Sequence, residues 1–247
     1  QATLLKNVYL WMTVALAITG ITALAVVNSP TLSSLLFSGR ATFFILLIAE
    51  LGLVWYVSAR IMSLSFTTAT GLFMLYSLLN GLTLSVLFAV YTRSSIASTF
   101  FITAGTFGAM SLYGYFTKKD LSSWGNILIM AVIGLIIASV VNIFMQSAMI
   151  YWIITYAGVL IFVGLTAYDT QKIKQMLANQ EINEQTQKLA LLGALSLYLD
   201  FINLFLYLLR IFGDRKEVIA FIIYEDKCRK IFYFNFPNGF HSQFRIF

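Results

Sequence analysis

The chain has 247 residues, of which 60% are hydrophobic and only 11% charged, with a formal net charge of +6. A soluble domain of this size carries about 25% charged residues, so a soluble globular protein is excluded, and with it a nucleic-acid-binding domain built on a basic surface. One cysteine, Cys228, leaves no disulfide within the chain.

Apolar runs long enough for a bilayer, about 20 residues each, fall in chain order at 7–28, 41–58, 66–91, 95–116, 125–145, 149–168 and 189–211. They predict an all-α integral membrane protein, a bundle of seven transmembrane helices. With two prolines in the whole chain, Pro30 and Pro237, the spans run unbroken by Pro. Short polar punctuations separate most of them, such as Ser38-Gly39-Arg40 and Thr117-Lys118-Lys119-Asp120. One long polar stretch, 169–188, precedes the last. The first run is too long for a signal peptide and lacks a small-residue cleavage site. The start at Gln1 rather than Met points to a few residues ahead of it.

Lys and Arg in short loops set orientation. With the N-terminus inside, Lys6, Arg60, Lys118, Lys119, Lys172, Lys174 and Lys188 are inside, against Arg40 and Arg93 outside. Seven complete spans also put Arg210, Arg215 and Lys216 outside. Either the last segment re-enters, or the earlier spans fix the topology despite those charges.

Small residues scattered through the spans, among them Gly71, Gly81, Gly108, Gly134, Gly158, Gly164 and Gly193, are expected to allow close helix packing. The division expected is a transmembrane domain over 1–216 and a tail over 217–247. The tail has no helical or strand period. It reads as an appended or frame-shifted segment, or as a short interfacial one.

Three acids lie in or at the edge of the spans: Glu50, Asp169 and Asp200. A carboxylate at mid-membrane depth costs roughly 2.5–3.5 kcal/mol on insertion scales, so such residues are candidates for function. Asp200 shares a helix face with Gly193, Ser196, Asn203 and Tyr207. Lipid cannot satisfy that polar stripe, so it points into the bundle. The alternative is a structural carboxyl bonded to neighbouring helices. Asp169 closes the sixth span, where the helix dipole disfavours an anion. A salt bridge to Lys172 or plain solvation would answer that. Glu50 has apolar helical neighbours and needs a partner from another helix. Arg60 lies ten residues on, about 15 Å along the helix, and is free to reach an acid at the same membrane edge, where Asp169 is also expected.

Two carboxylates in contact cannot both ionise easily. They share a proton and titrate as a pair, which makes a pH sensor without histidine. Ionised, with amide and hydroxyl oxygens nearby, Asp169 and Asp200 also suit a hard cation such as Ca²⁺. No predicted span holds a His, the seventh has no Lys, and the chain has no GxxxxGK[ST] motif. Haem ligation, histidine proton relays, a retinal Schiff base and P-loop ATP hydrolysis are thereby excluded. No cofactor and no enzymatic chemistry are expected.

GLTAYDTQKIK (164–174) followed by GALSLYLDFINLFLYLLRIFG (193–213) resembles the end of the Bax inhibitor-1/YccA family, the transmembrane Bax inhibitor motif proteins. FGAMSLYGYFTKKDLSSWGN (107–126) and LFMLYSLLNGLTLS (72–85) resemble its bacterial inner-membrane members. The resemblance covers about 7–216. It implies a seven-helix bundle with the last helix at the centre, wrapped by two groups of three. It implies a pH-sensitive calcium leak channel whose sensor is the aspartate pair Asp169 and Asp200, with Arg60 as a latch for Asp169 and Glu50 on the ion path. Its expected partners are the lipid bilayer, Ca²⁺ and H⁺. The rival reading, also from the resemblance, is a non-conducting regulator that binds other membrane proteins, such as a membrane protease or cell-death regulators. The location implied is the bacterial inner membrane, with the N-terminus in the cytoplasm.

Overall fold

The structure is a computed structural model that describes residues 2–37, 40–178 and 180–216. The tail 217–247, and with it any judgement on its origin, lies outside the described residues. Among the described residues there are nine helices: α1 (Ala2–Asn28), α2 (Pro30–Phe37), α3 (Arg40–Arg60), α4 (Phe66–Leu84), α5 (Leu87–Val90), α6 (Arg93–Phe116), α7 (Ser122–Met145), α8 (Ala148–Met176) and α9 (Glu184–Phe212). Seven spans are long and apolar enough to cross a membrane, with α4 and α5 together forming one of them.

The helix starts follow their sequence signals. Ser65, Thr92 and Ser147 cap α4, α6 and α8, each side-chain oxygen accepting the backbone N–H three residues on. Asn183 and Thr186 cap α9 reciprocally. Pro30 opens α2, a position where its missing N–H costs nothing. This short helix fills a stretch that hydropathy leaves unassigned.

α9 stands at the centre. It packs against α1, α4, α6 and α8, while α3 packs on α4 and α7 on α8. The bundle is thus two groups, α1–α3–α4 and α6–α7–α8, around one helix. The other spans show lipid one or more faces. α9 buries Leu191, Leu195, Leu197, Tyr198, Ile202, Leu204 and Leu208, and it is the most buried of the seven spans.

α9 also crosses completely. At its start, the Phe66 N–H donates to Glu184 Oε1 (3.2 Å), and Lys188 Nζ donates to the carbonyls of Met62 (3.2 Å) and Leu64 (3.1 Å) in the α3–α4 link. At its end, the Thr92 N–H donates to the Asp214 carbonyl and the Lys216 N–H to the Val90 carbonyl, both at 3.0 Å, in the α5–α6 link. Those two links lie at opposite ends of the α4–α5 span. The last segment therefore does not re-enter, and Arg210, Arg215 and Lys216 lie at the end of the bundle opposite Lys188.

The polar stretch 169–188 is not a long linker. It supplies the last two turns of α8 and the first turn of α9, leaving 177–183 between helices. Its polar side chains bridge other elements: Gln171 donates to the Lys119 carbonyl (2.8 Å) and accepts the Leu121 N–H (2.9 Å), which ties α8 to the α6–α7 link. The glycines divide. Gly81, Gly158, Gly164 and Gly193 face close neighbours, whereas Gly71, Gly108 and Gly134 meet nothing within 4 Å and are not packing positions.

Candidate functional site

Asp169 and Asp200 come together at the α8–α9 interface. Asp200 is 5% exposed, near the middle of α9, and Asp169 is half-buried on α8. The Asp169 carboxyl faces the Ser196 hydroxyl, one turn before Asp200, and the Asp200 carboxyl. Asp200 Oδ2 meets no donor at all. The next residue on α8, Thr170, donates to the Ser111 hydroxyl of α6 (3.3 Å).

Lys172 does not close a salt bridge onto Asp169. It acts on it through space, its ammonium set over the Tyr168 ring at 5.7 Å. Arg60 is not in the site either. It is exposed at the end of α3, and among the described residues it makes no ion pair with Asp169. The reason is packing: α3 lies on α4, at the edge of the bundle, and not against α8.

Glu50 is 7% exposed and accepts the hydroxyl of Thr83 from α4. It stands apart from the aspartates and acts electrostatically on Tyr76 and Tyr198. Tyr198 is two residues from Asp200, which puts it about 200° around the helix, on the far side of α9.

The expected polar stripe on α9 is only partly polar in its contacts. Ser196 joins Asp169. Asn203 turns back on its own helix, donating to the Leu199 carbonyl at 2.8 Å. Tyr207 stacks on Phe162 (5.8 Å between ring centroids) with the Arg210 guanidinium 4.9 Å from its ring centre. Asn203 is satisfied within its own helix and Tyr207 packs against α8, so neither residue has to reach the aspartates.

The sequence reading missed a second polar layer on the other side of α9. The Thr19 and Tyr198 hydroxyls lie 2.7 Å apart, and Thr19 also donates toward the Ser77 carbonyl at 2.9 Å. The signal was present in YSLLNGLT (76–83), where Tyr76, Asn80 and Thr83 recur on one helical face.

The aspartate pair with Ser196 offers carboxylate and hydroxyl oxygens, the type of donor that hard cations take. Among the described residues, no three His, Cys, Asp or Glu side chains cluster as a metal centre.

Residues 1–217 match the family model described as "Inhibitor of apoptosis-promoting Bax1". The chain is 55% identical over 216 residues to Inner membrane protein YbhL of Escherichia coli K12, covering 87% of this chain and 92% of that protein. It is 45% identical over 223 residues to an uncharacterized protein of Borreliella burgdorferi, 88% and 96% of the two chains. It is 44% identical over 212 residues to uncharacterized protein RP147 of Rickettsia prowazekii, 85% and 89%. With seven apolar spans and a family match over nearly all of them, the chain belongs to the Bax inhibitor family of multi-pass integral membrane proteins.

Proposed function

We propose that the protein is a pH-sensitive cation leak of a bacterial inner membrane, with Ca²⁺ as its permeant ion and the N-terminus in the cytoplasm. The observation that carries this reading is the hydrogen-bonded contact of Asp169 and Asp200 at the interface of the central helix. Such a pair holds one proton between two acids and titrates as a unit. With the proton in place, α8 is tied to α9. Without it, two like charges face each other in a low dielectric, and the tie becomes a repulsion. The freed oxygens then suit a hard cation.

Arg60 supplies the competing partner for Asp169 in a second conformation, and Glu50 draws the cation along the path. The membrane location is supported by the inner-membrane relative, and the orientation by the basic residues of the inner loops. The reading needs no covalent chemistry and no cofactor.

The test is Ca²⁺ uptake into dye-loaded proteoliposomes measured across a pH series, since a coupled pair titrates as a unit. Wild-type flux is expected to change with pH, and Asp169→Asn and Asp200→Asn to abolish that dependence. Folded wild-type protein that gives no flux over empty liposomes would end the leak reading and turn the search to protein partners.

A further inference from the structure

At the end of the bundle opposite Lys188, the last turn of α9 meets the first turn of α8 and the α5–α6 link. Arg210 is half-buried there. Its guanidinium lies over two rings, Tyr207 of α9 at 4.9 Å and Tyr151 of α8 at 5.7 Å. A guanidinium carries five N–H donors and no acceptor. Among the described residues, no carboxylate or carbonyl oxygen takes any of them.

Arg215 reaches the same corner. Its backbone pairs with Tyr91 in an antiparallel bridge, and its side chain faces the Tyr91 hydroxyl. Arg210 and Tyr151 act electrostatically on that same hydroxyl. Tyr91 is buried, and its ring lies so close to Gly213 that a Cβ there would meet it. Two guanidiniums are thus held around one fixed ring.

Charge at this end is unbalanced. Arg93, Arg210, Arg215 and Lys216 stand against one acid among the described residues, Asp214. The Asp214 carboxylate accepts the Ser95 hydroxyl at 3.2 Å. Arg93 donates to Asn28 Oδ1 (3.1 Å) and Lys216 to the Phe88 carbonyl (2.7 Å), both neutral oxygens. A half-buried cation among other cations needs a counter-charge, and this corner supplies none.

Membrane depth selects the counter-charge. Arg210 closes a span. Beside Tyr151, the exposed Trp152 and Tyr156 rings stack at 5.7 Å. Such aromatic side chains gather at the membrane–water interface, at headgroup level. A phosphate there presents two oxygens to a guanidinium fork. A zwitterionic headgroup would add an ammonium to a corner already rich in cations. A headgroup of net negative charge balances it.

We propose that Arg210 and Arg215, set by Tyr151, Tyr207 and Tyr91, bind the phosphate of an anionic phospholipid of the phosphatidylglycerol type. The site needs neither the aspartate pair nor the leak.

The experiment is thermal unfolding of the full chain in dodecyl maltoside. It is titrated with dioleoyl phosphatidylglycerol, with dioleoyl phosphatidylethanolamine, or with inorganic phosphate at constant ionic strength. A saturable rise in Tm is expected with phosphatidylglycerol alone. Arg210→Gln is expected to raise the half-saturating lipid concentration about tenfold, the scale of one hydrogen bond to a charged group. Lys118→Gln removes the same charge at the other end of the bundle and is expected to keep the wild-type response. Equal rises with the two lipids, or wild-type half-saturation in Arg210→Gln, would overturn the proposal. So would a rise with inorganic phosphate that matches the one with phosphatidylglycerol, which marks an anion site without a lipid. Should Arg210→Gln not fold, native mass spectrometry of the wild type from equimolar lipids decides: preferential retention of phosphatidylglycerol supports the site, and equal retention overturns it.

Discussion

The Asp200 carboxyl, 5% exposed on the central helix, is hydrogen-bonded to the carboxyl of Asp169 on α8. Neither acid has a basic residue bonded to it among the described residues, so no salt bridge holds the contact. Both helices hang on that contact. α9 touches four spans, and α8 carries α6 and α7. A change at the pair is therefore felt by both halves of the bundle.

Lys188 holds the inner end of α9. It is 7% exposed, and its ammonium donates to two carbonyls of the α3–α4 link, with Glu184 Oε1 at 3.7 Å. Lys188→Met leaves those carbonyls without a donor and is expected to cost about 1–3 kcal/mol. Glu184→Gln removes only a surface partner, worth about 0–1 kcal/mol. Thermal unfolding of the two variants checks this ordering, and equal losses would contradict it.

Gly114 lets α6 approach α8. A Cβ there would run into the Ala167 backbone, whereas at Gly108 nothing lies within 4 Å. Gly114→Ala is expected to push the helices apart at a cost of about 1–3 kcal/mol. Gly108→Ala is expected to be neutral or to stabilise by up to about 1 kcal/mol, through helix propensity. A Gly114→Ala protein with wild-type Tm would show that the crossing is looser than described.

Arg60 is exposed and outside the site, so Arg60→Ala is expected to change stability by no more than about 0.5 kcal/mol. It is expected to alter the pH profile of flux, because the second conformation loses its partner for Asp169. Parallel Tm and flux measurements separate the two effects. A large drop in Tm would mean that Arg60 is already bonded in the conformation described.

Asp120, ahead of α7, accepts hydrogen bonds from the Ser122 hydroxyl and from its backbone N–H (2.9 Å), which hold its carboxyl below the ordinary carboxylate range. A carboxyl lowered by folding contributes stability above its unfolded pKa, about 3.9, and that contribution is lost as pH falls through the folded value. Asp120→Ala is therefore expected to lower Tm slightly at neutral pH, with the gap closing as pH drops below about 4. A gap that widens in acid would have the wrong sign.

The spans were legible because a 20-residue apolar run has few other uses. The three membrane acids were legible because each is costly where it stands. The ends of α8 and α9 were not, because Gln171 and Lys188 are polar by residue type yet buried against backbone groups of distant loops, and Thr186 against the turn just before α9. Hydropathy scores such a residue as a loop. The packing partner of Arg60 was equally hidden: sharing a membrane edge with Asp169 says nothing about which helices touch. Asn203 and Tyr207 lie on the expected face, but Asn203 bonds its own helix and Tyr207 stacks on Phe162 of α8. A helical wheel shows direction, not partners. The two-residue interruption between α4 and α5 has no Pro to announce it.

The central claim is that Asp169 and Asp200 share one proton that leaves as pH rises. Infrared difference spectroscopy reads it directly, in a Glu50→Gln background that removes the other buried carboxyl. As pH is raised, the spectrum is expected to lose a protonated-carboxyl band. That band should be absent when both aspartates are replaced by Asn. No titrating band, or the same band in the doubly substituted protein, would contradict the account.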